Sequence, residues 1–169
     1  MKYVIESIRE IDEEIVSIDE SKLYLRVTGD HDDALITNLL KTSISYVENY
    51  IGKEILYKEK VAEISDFPRE FEILSANIRE IIEVKEIESG SILVEGEDYI
   101  LRLPKILIKK AKISPLSIRF ISGFKEIPSS IKHGIFVYLS LLYDKEILNS
   151  ESLETVHILL KQYRNLRLV

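Results

Sequence analysis

The apolar and polar positions of the chain follow a helical period in two stretches and an alternating period in the stretch between them. Ser17-Ile18-Asp19-Glu20 has the form of a capping box, a serine and an acid three residues on that exchange side-chain and backbone hydrogen bonds, and it opens a short helix through about Arg26. Thr28-Gly29-Asp30 interrupts the pattern, and Asp30 is placed to cap a second helix with Asp32 and Asp33 in its first turn, where the helix dipole favours acids. Ile36, Leu39, Leu40, Ile44, Val47 and Ile51 recur at helical spacing, and Gly52 suits the left-handed C-cap. At ~20 residues this helix would be ~30 Å long.

From Lys53 to Phe124 the period shortens. Ile55, Tyr57 and Val61, then Ile82 and Val84, then Ile118 and Phe120 alternate with polar residues, as strands do. Ser89-Gly90-Ser91 and Gly96-Glu97-Asp98 read as turns. Pro68, Pro104 and Pro115 belong at strand ends or edges, because proline cannot donate to a ladder. Helix resumes with Pro128 at a first helical position and runs through Tyr143, apolar nearly all round, so that it needs cover on more than one side. Asn149-Ser150 begins a last helix with Leu153, Val156, Leu160 and Tyr163 on one face. The predicted fold is α+β: a mostly α-helical core of about four helices in the order α-α-β-α-α, with a β-rich insertion between the second and third. Residues 1–169 read as a single domain, with an N-terminal extension over 1–16, the insertion over 53–124 and a C-terminal helical pair over 128–165.

The 169 residues, 46% hydrophobic and 31% charged, suffice for a sizeable core and exclude a disordered or fibrous chain. The absence of cysteine removes disulfide and thiolate chemistry, as a reducing compartment would permit. Met1 to Glu14 is acidic and has neither the basic leader nor the apolar centre of a signal peptide, and the apolar run from Ile135 to Tyr143 is too short for a bilayer, so no membrane partner is expected. Net charge is −6, against broad nucleic-acid affinity. Its distribution is more informative: residues 1–100 hold 24 acids and 11 bases, residues 101–169 hold 5 acids and 12 bases. Subunits that pack head to tail, acidic surface on basic surface, use such polarity to steer association and fix register.

Candidate chemistry is sparse. Asp30-His31-Asp32-Asp33 offers carboxylates and an imidazole to a divalent cation, but Leu35 and Lys41 stand where a calcium loop needs glycine and glutamate, and an acid-rich helix start accounts for the same residues. His133 and His157 sit among apolar neighbours that favour packing. No phosphate-cradling glycine loop and no Gly-x-Ser-x-Gly elbow occurs, so no catalytic residue and no cofactor is expected. Arg102, Lys105, Lys109, Lys110 and Lys112 form a basic run without an acid. They fit the solvated side of an edge strand, where lysine blocks stray pairing, and alternatively the phosphate contacts of a DNA-binding accessory protein. No aromatic lies between Arg102 and Lys112, so a base-stacking platform is missing.

Several of these patterns, in this order, resemble the head–tail connector (adaptor) family of long-tailed bacteriophages. Ser17-Ile18-Asp19-Glu20-Ser21-Lys22-Leu23-Tyr24-Leu25-Arg26-Val27 is similar to that family's opening helix, and Asp30-His31-Asp32-Asp33-Ala34-Leu35-Ile36 to its acidic turn before a long helix. Glu48-Asn49-Tyr50-Ile51-Gly52-Lys53 resembles its Glu-x-Tyr-Thr-Gly-Arg helix end, and Asp98-Tyr99 a pair in its β block. Ile118-Arg119-Phe120-Ile121-Ser122-Gly123-Phe124, Ile127-Pro128 and the helix ending in Leu142-Tyr143 resemble its strand, turn and proline-started helix. Tyr24 replaces a common histidine and Ser122 a common alanine, and residues 1–16 have no counterpart.

The resemblance implies a structural, non-enzymatic protein of the virion neck, assembled in the host cytoplasm as a homo-oligomeric ring, a dodecamer. Such a ring joins the portal protein to a tail-side stopper or tail-completion protein and passes DNA without binding it specifically. On this reading Asp30, Asp32 and Asp33 supply channel or subunit-interface charge, while Lys105, Lys109, Lys110 and Lys112 meet the neighbouring subunit. Arg164, Leu166, Arg167 and Leu168, in a basic and apolar tail, would dock on the portal.

Overall fold

The structure, a computed structural model, describes residues 2–10, 15–73, 77–102, 105–109, 115–124, 126–144 and 150–164. Its elements run β1 (Lys2–Glu10), α1 (Ile18–Leu25), α2 (Asp33–Ile51), β2 (Lys58–Ser65), β3 (Glu70–Glu72), β4 (Ile78–Glu86), β5 (Tyr99–Arg102), β6 (Lys105–Ile108), β7 (Leu116–Ser122), α3 (Ser129–Tyr143), α4 (Ser150–Leu160) and a 3-10 turn, Lys161–Tyr163. They form two compact units, one from Met1–Glu13 and Leu56–Lys125, the other from Glu14–Ile55 and Glu126–Val169. The fold is mixed α+β, with four helices and two antiparallel sheets among the described residues.

In the helical unit the capping box forms as expected: Ser17 Oγ accepts from the Glu20 amide at 3.1 Å and Glu20 Oε2 accepts from the Ser17 amide at 3.2 Å. The turn after α1 is tighter than expected, with Arg26 in the left-handed region at φ 59° and its amide, with that of Val27, closing on Leu23 and Lys22 carbonyls. α2 begins two residues later than the Asp30 cap predicts. Asp32 is its N-cap, because residues 30–33 first close a turn of their own through the Asp33 amide and Asp30 carbonyl. Its stripe is buried at Ile36, Leu40, Ile44, Val47 and Ile51, and Gly52 ends it at φ 67°. α3 starts at Ser129 with Pro128 as N-cap, one residue outside the helix, and packs on α1, α2 and α4, the several-sided cover its apolar surface requires. Gly134 lets α4 approach: a Cβ there would stand 3.0 Å from Leu160 Cδ2.

The β unit holds a four-stranded sheet in the order β1-β2-β7-β4 and a three-stranded sheet in the order β3-β6-β5, antiparallel throughout. One apolar cluster draws on both. Ala62, Ile64, Val84, Leu116, Ile118 and Phe120 come from the first sheet, and Phe71, Tyr99, Ile106 and Ile108 from the second, with Ile73 and Leu93 beside them. Two expectations are corrected here. The core is not mostly helical, because the sheets enclose this cluster of their own. Nor is the β unit an insertion over 53–124 alone, because residues 2–10, expected to be an extension, supply its edge strand. β1 is held by tertiary pairing with β2 and by Ile5 packing against the cluster, neither of which leaves a periodic trace in its own sequence.

The tight α3–α4 approach is testable. Gly134→Val is expected to overpack it and lower unfolding stability by about 1–3 kcal/mol. Gly134→Ala should stay near neutral in the same chemical denaturation, since a helix-propensity gain of up to about 1 kcal/mol offsets the closer contact.

Candidate functional site

The sequence-predicted acids meet at the α1–α2 turn. The Lys22 ammonium donates to Asp30 Oδ1 at 2.9 Å and lies 2.8 Å from Asp33 Oδ1, while the Tyr143 hydroxyl donates to Asp32 Oδ2 at 2.7 Å from the far end of α3. Lys22 therefore titrates above its ordinary value, first through Asp33 and then Asp30, and Asp30 below its own through Lys22. Hydrogen bonding to Asp32, then burial, raises the Tyr143 hydroxyl. Each carboxylate thus has an internal partner that fixes the turn. Among the described residues no group of three or more His, Asp or Glu side chains converges as a metal site.

The basic run divides. Arg102 ends β5 and Lys105 begins β6, where its ammonium lies 2.7 Å from Glu70 on β3. Lys109 donates its side chain to the Gly96 carbonyl and its amide to that of Asp98 at 2.8 Å. The edge-strand expectation holds for Arg102, on the outer strand β5, and is corrected for Lys105: β6 is the central strand of its sheet, because β3, only three residues long and without a readable period, pairs on its other side. Lys110 and Lys112 lie outside the described residues, as do Leu166, Arg167 and Leu168. Arg164 is described: it leaves the 3-10 turn in an extended conformation with its guanidinium carbon 5.3 Å from the Tyr50 ring centroid. That ring also stacks on His157 at 4.4 Å, and His157 Nε2 hydrogen-bonds the Tyr46 hydroxyl at 2.8 Å. His133 meets the edge of Tyr24. Both histidines have packing partners.

Sequence reasoning missed the most buried acid. Glu59 on β2 is 1% exposed and lies between Arg9 on β1, at 2.5 Å, and Arg119 on β7. The two guanidiniums, Arg119 first, hold its carboxyl below the ordinary value against the opposing effect of burial. The signal was available only jointly, as an acid and two arginines from three chain regions, and it requires β1 to be recognised as a strand.

The sequence profile of the phage gp6-like head-tail connector proteins matches residues 15–86. Over that segment the chain is similar to the phage gp6-like head-tail connector proteins. Its fold also matches solved structures across nearly its whole length. A chain in the neck of an empty gene transfer agent (GTA) particle computed with C6 symmetry is 14% identical, with 98% of this chain and 97% of that one covered at a TM-score of 0.76. A chain in the virion of the native particle is 15% identical at a TM-score of 0.73, with the same coverage. One in the native neck computed with C12 symmetry is 13% identical at 0.71, again over 98% and 97%. No curated protein sequence matches. The matched segment contains α1, α2 and β2 to β4, hence the capping box, the acidic turn and Glu59, while β1 with Arg9 and β7 with Arg119 lie outside it.

The Glu59 clamp predicts a specific acid response. A carboxyl lowered in the folded state contributes stability in full above its ordinary value, 4.5, and loses that contribution as pH falls through the depressed value. Glu59→Gln should therefore lower the urea midpoint at pH 7, and its deficit relative to wild type should shrink as pH falls below 4.5, measured by circular dichroism across that range.

Proposed function

We propose that the chain is the subunit of a head–tail connector ring in a virion neck, where it joins the portal vertex to the tail machinery and extends the DNA channel. The family match over residues 15–86 carries this reading, and the neck and virion fold matches support it. Copies associate head to tail into a closed ring, since a heterologous contact that closes generates one. Twelve copies agree with the C12 symmetry with which one matched neck was computed. The portal protein and a tail-side stopper or completion protein flank the ring. It is assembled in the host cytoplasm, and DNA passes through it unbound.

In this setting Asp30, whose side chain is 89% exposed, offers negative charge to the channel or to a neighbouring subunit, while Asp32 and Asp33 hold the turn that presents it. Lys109, Lys110 and Lys112 offer the basic side of the subunit contact, with Lys105, and the tail from Arg164 to Leu168 docks on the portal. The DNA-binding alternative has weaker support, because a net charge of −6 opposes phosphate binding and no aromatic lies between Arg102 and Lys112.

Sedimentation velocity over rising salt tests the electrostatic part. The wild-type oligomer should weaken with salt, as attraction between exposed charges is screened. Lys109→Glu with Lys110→Glu should shift the assembly midpoint at least tenfold in concentration. Unchanged assembly and salt dependence in that variant would remove these lysines from the contact. Deleting Leu166 to Val169 should abolish portal capture without altering the melting temperature, and retained capture would refute the docking tail.

A further inference from the structure

In the helical unit a series of ring contacts runs from α3 through α2 and α4 and ends at Arg164. Tyr138 on α3 stacks on Tyr46 of α2, with ring centroids 4.0 Å apart and planes 5° from parallel. The Tyr46 hydroxyl meets Nε2 of His157 on α4 at 2.8 Å, and the His157 ring stacks on Tyr50 at 4.4 Å, again at 5°. Arg164 comes last, its guanidinium carbon 5.3 Å from the Tyr50 centroid and within range of a cation–π contact. Tyr46 and Tyr50 stand four residues apart on α2 and so share a face of that helix.

The last of these contacts does nothing for the core. α4 is already seated by Val156 and Leu160, both fully buried, and Leu160 lies against Gly134 of α3. The 3-10 turn that follows has no buried residue, and Arg164 itself is exposed. What the contact does is fix the chain a second time, beyond α4, where the Arg164 amide also donates to the Lys161 carbonyl at 3.3 Å. Leu168 lies four residues past Arg164 and eight past Leu160. At ~3.6 Å per extended residue, a chain held at Arg164 carries Leu168 at most ~14 Å from its anchor, against ~29 Å for one held at Leu160. The shorter reach leaves less conformational freedom to be lost when the residues beyond it bind.

We propose that Tyr50 is a positioning residue for the portal-docking tail: its ring holds the Arg164 guanidinium, so that Arg164 anchors the tail while Leu166, Arg167 and Leu168 make the contact. His157, backed by Tyr46 and Tyr138, keeps the Tyr50 ring in place. This inference rests on the docking-tail reading and gives the first residue of the tail a different task from the others.

Limited trypsin cleavage read by mass spectrometry tests the anchor in the chain alone, and affinity for the cognate portal protein tests its use. Cutting after Arg164 should be about two- to fivefold faster in Tyr50→Leu than in wild type, the factor an exposed cation–π contact carries, with cutting after Arg167 unchanged. Tyr50→Phe keeps the ring and should keep the wild-type rate. Should Tyr50→Leu fail to fold, Tyr50→Met, which refills the space with a flexible apolar side chain, takes its place. Portal affinity should fall about two- to fivefold in Tyr50→Leu and in Arg164→Gln, no further in the double variant, and not at all in Tyr50→Phe. Loss of affinity in Arg164→Gln with none in Tyr50→Leu makes Arg164 a direct portal contact and overturns the anchor. Additive losses in the double variant, or unchanged cutting after Arg164 in Tyr50→Leu, overturn it as well. Each of these leaves the docking tail standing if deletion of Leu166 to Val169 abolishes capture, and a deletion variant that still captures portal overturns both.

Discussion

The pairing of β2 with β7 is the constraint on which the rest of the structure depends. Lys58 lies opposite Ser122, whose hydroxyl donates to the Lys58 carbonyl at 3.2 Å across 64 residues of sequence. The chain therefore returns from its β excursion beside the point at which it left α2, and α3 can pack on α2 in the helical unit. The same pair forms the middle of the four-stranded sheet, to which β1 and β4 attach as edges. Closing so long a loop carries an entropic cost that grows only slowly with length, and the buried Ala62, Ile64, Leu116, Ile118 and Phe120 along the two strands oppose it.

Charge works at two scales. The acid-rich first hundred residues and the base-rich remainder do not coincide with the two structural units, since each unit draws on both. Much of the complementarity is already met inside one chain, in Glu20 with Lys132, Glu70 with Lys105, and Glu59 with Arg119. Assembly must use what remains exposed, and exposed pairs are individually weak.

The parts legible in the sequence were those with local causes. The capping box, the stripe of α2 and the left-handed Gly52 each depend on residues within a few turns, and each formed as read. β1 was illegible because an edge strand exposed over most of its length has no buried face to impose alternation. β3 was too short to show a period, and without it β6 could not be recognised as a central strand. The acids at Asp30 to Asp33 were visible as a cluster, but their fate depended on Lys22 and on Tyr143, which lies 111 residues from its partner Asp32. Resemblance to the connector family bridged part of that gap, since element order and spacing persist where single contacts cannot be read.

Negative-stain electron microscopy of the purified chain over rising concentration is the most direct test of the central claim. The connector account predicts closed rings of uniform diameter with a central channel, their copy number confirmed by mass photometry on the same sample. A chain that stays monomeric throughout, or that grows into open filaments, would contradict it.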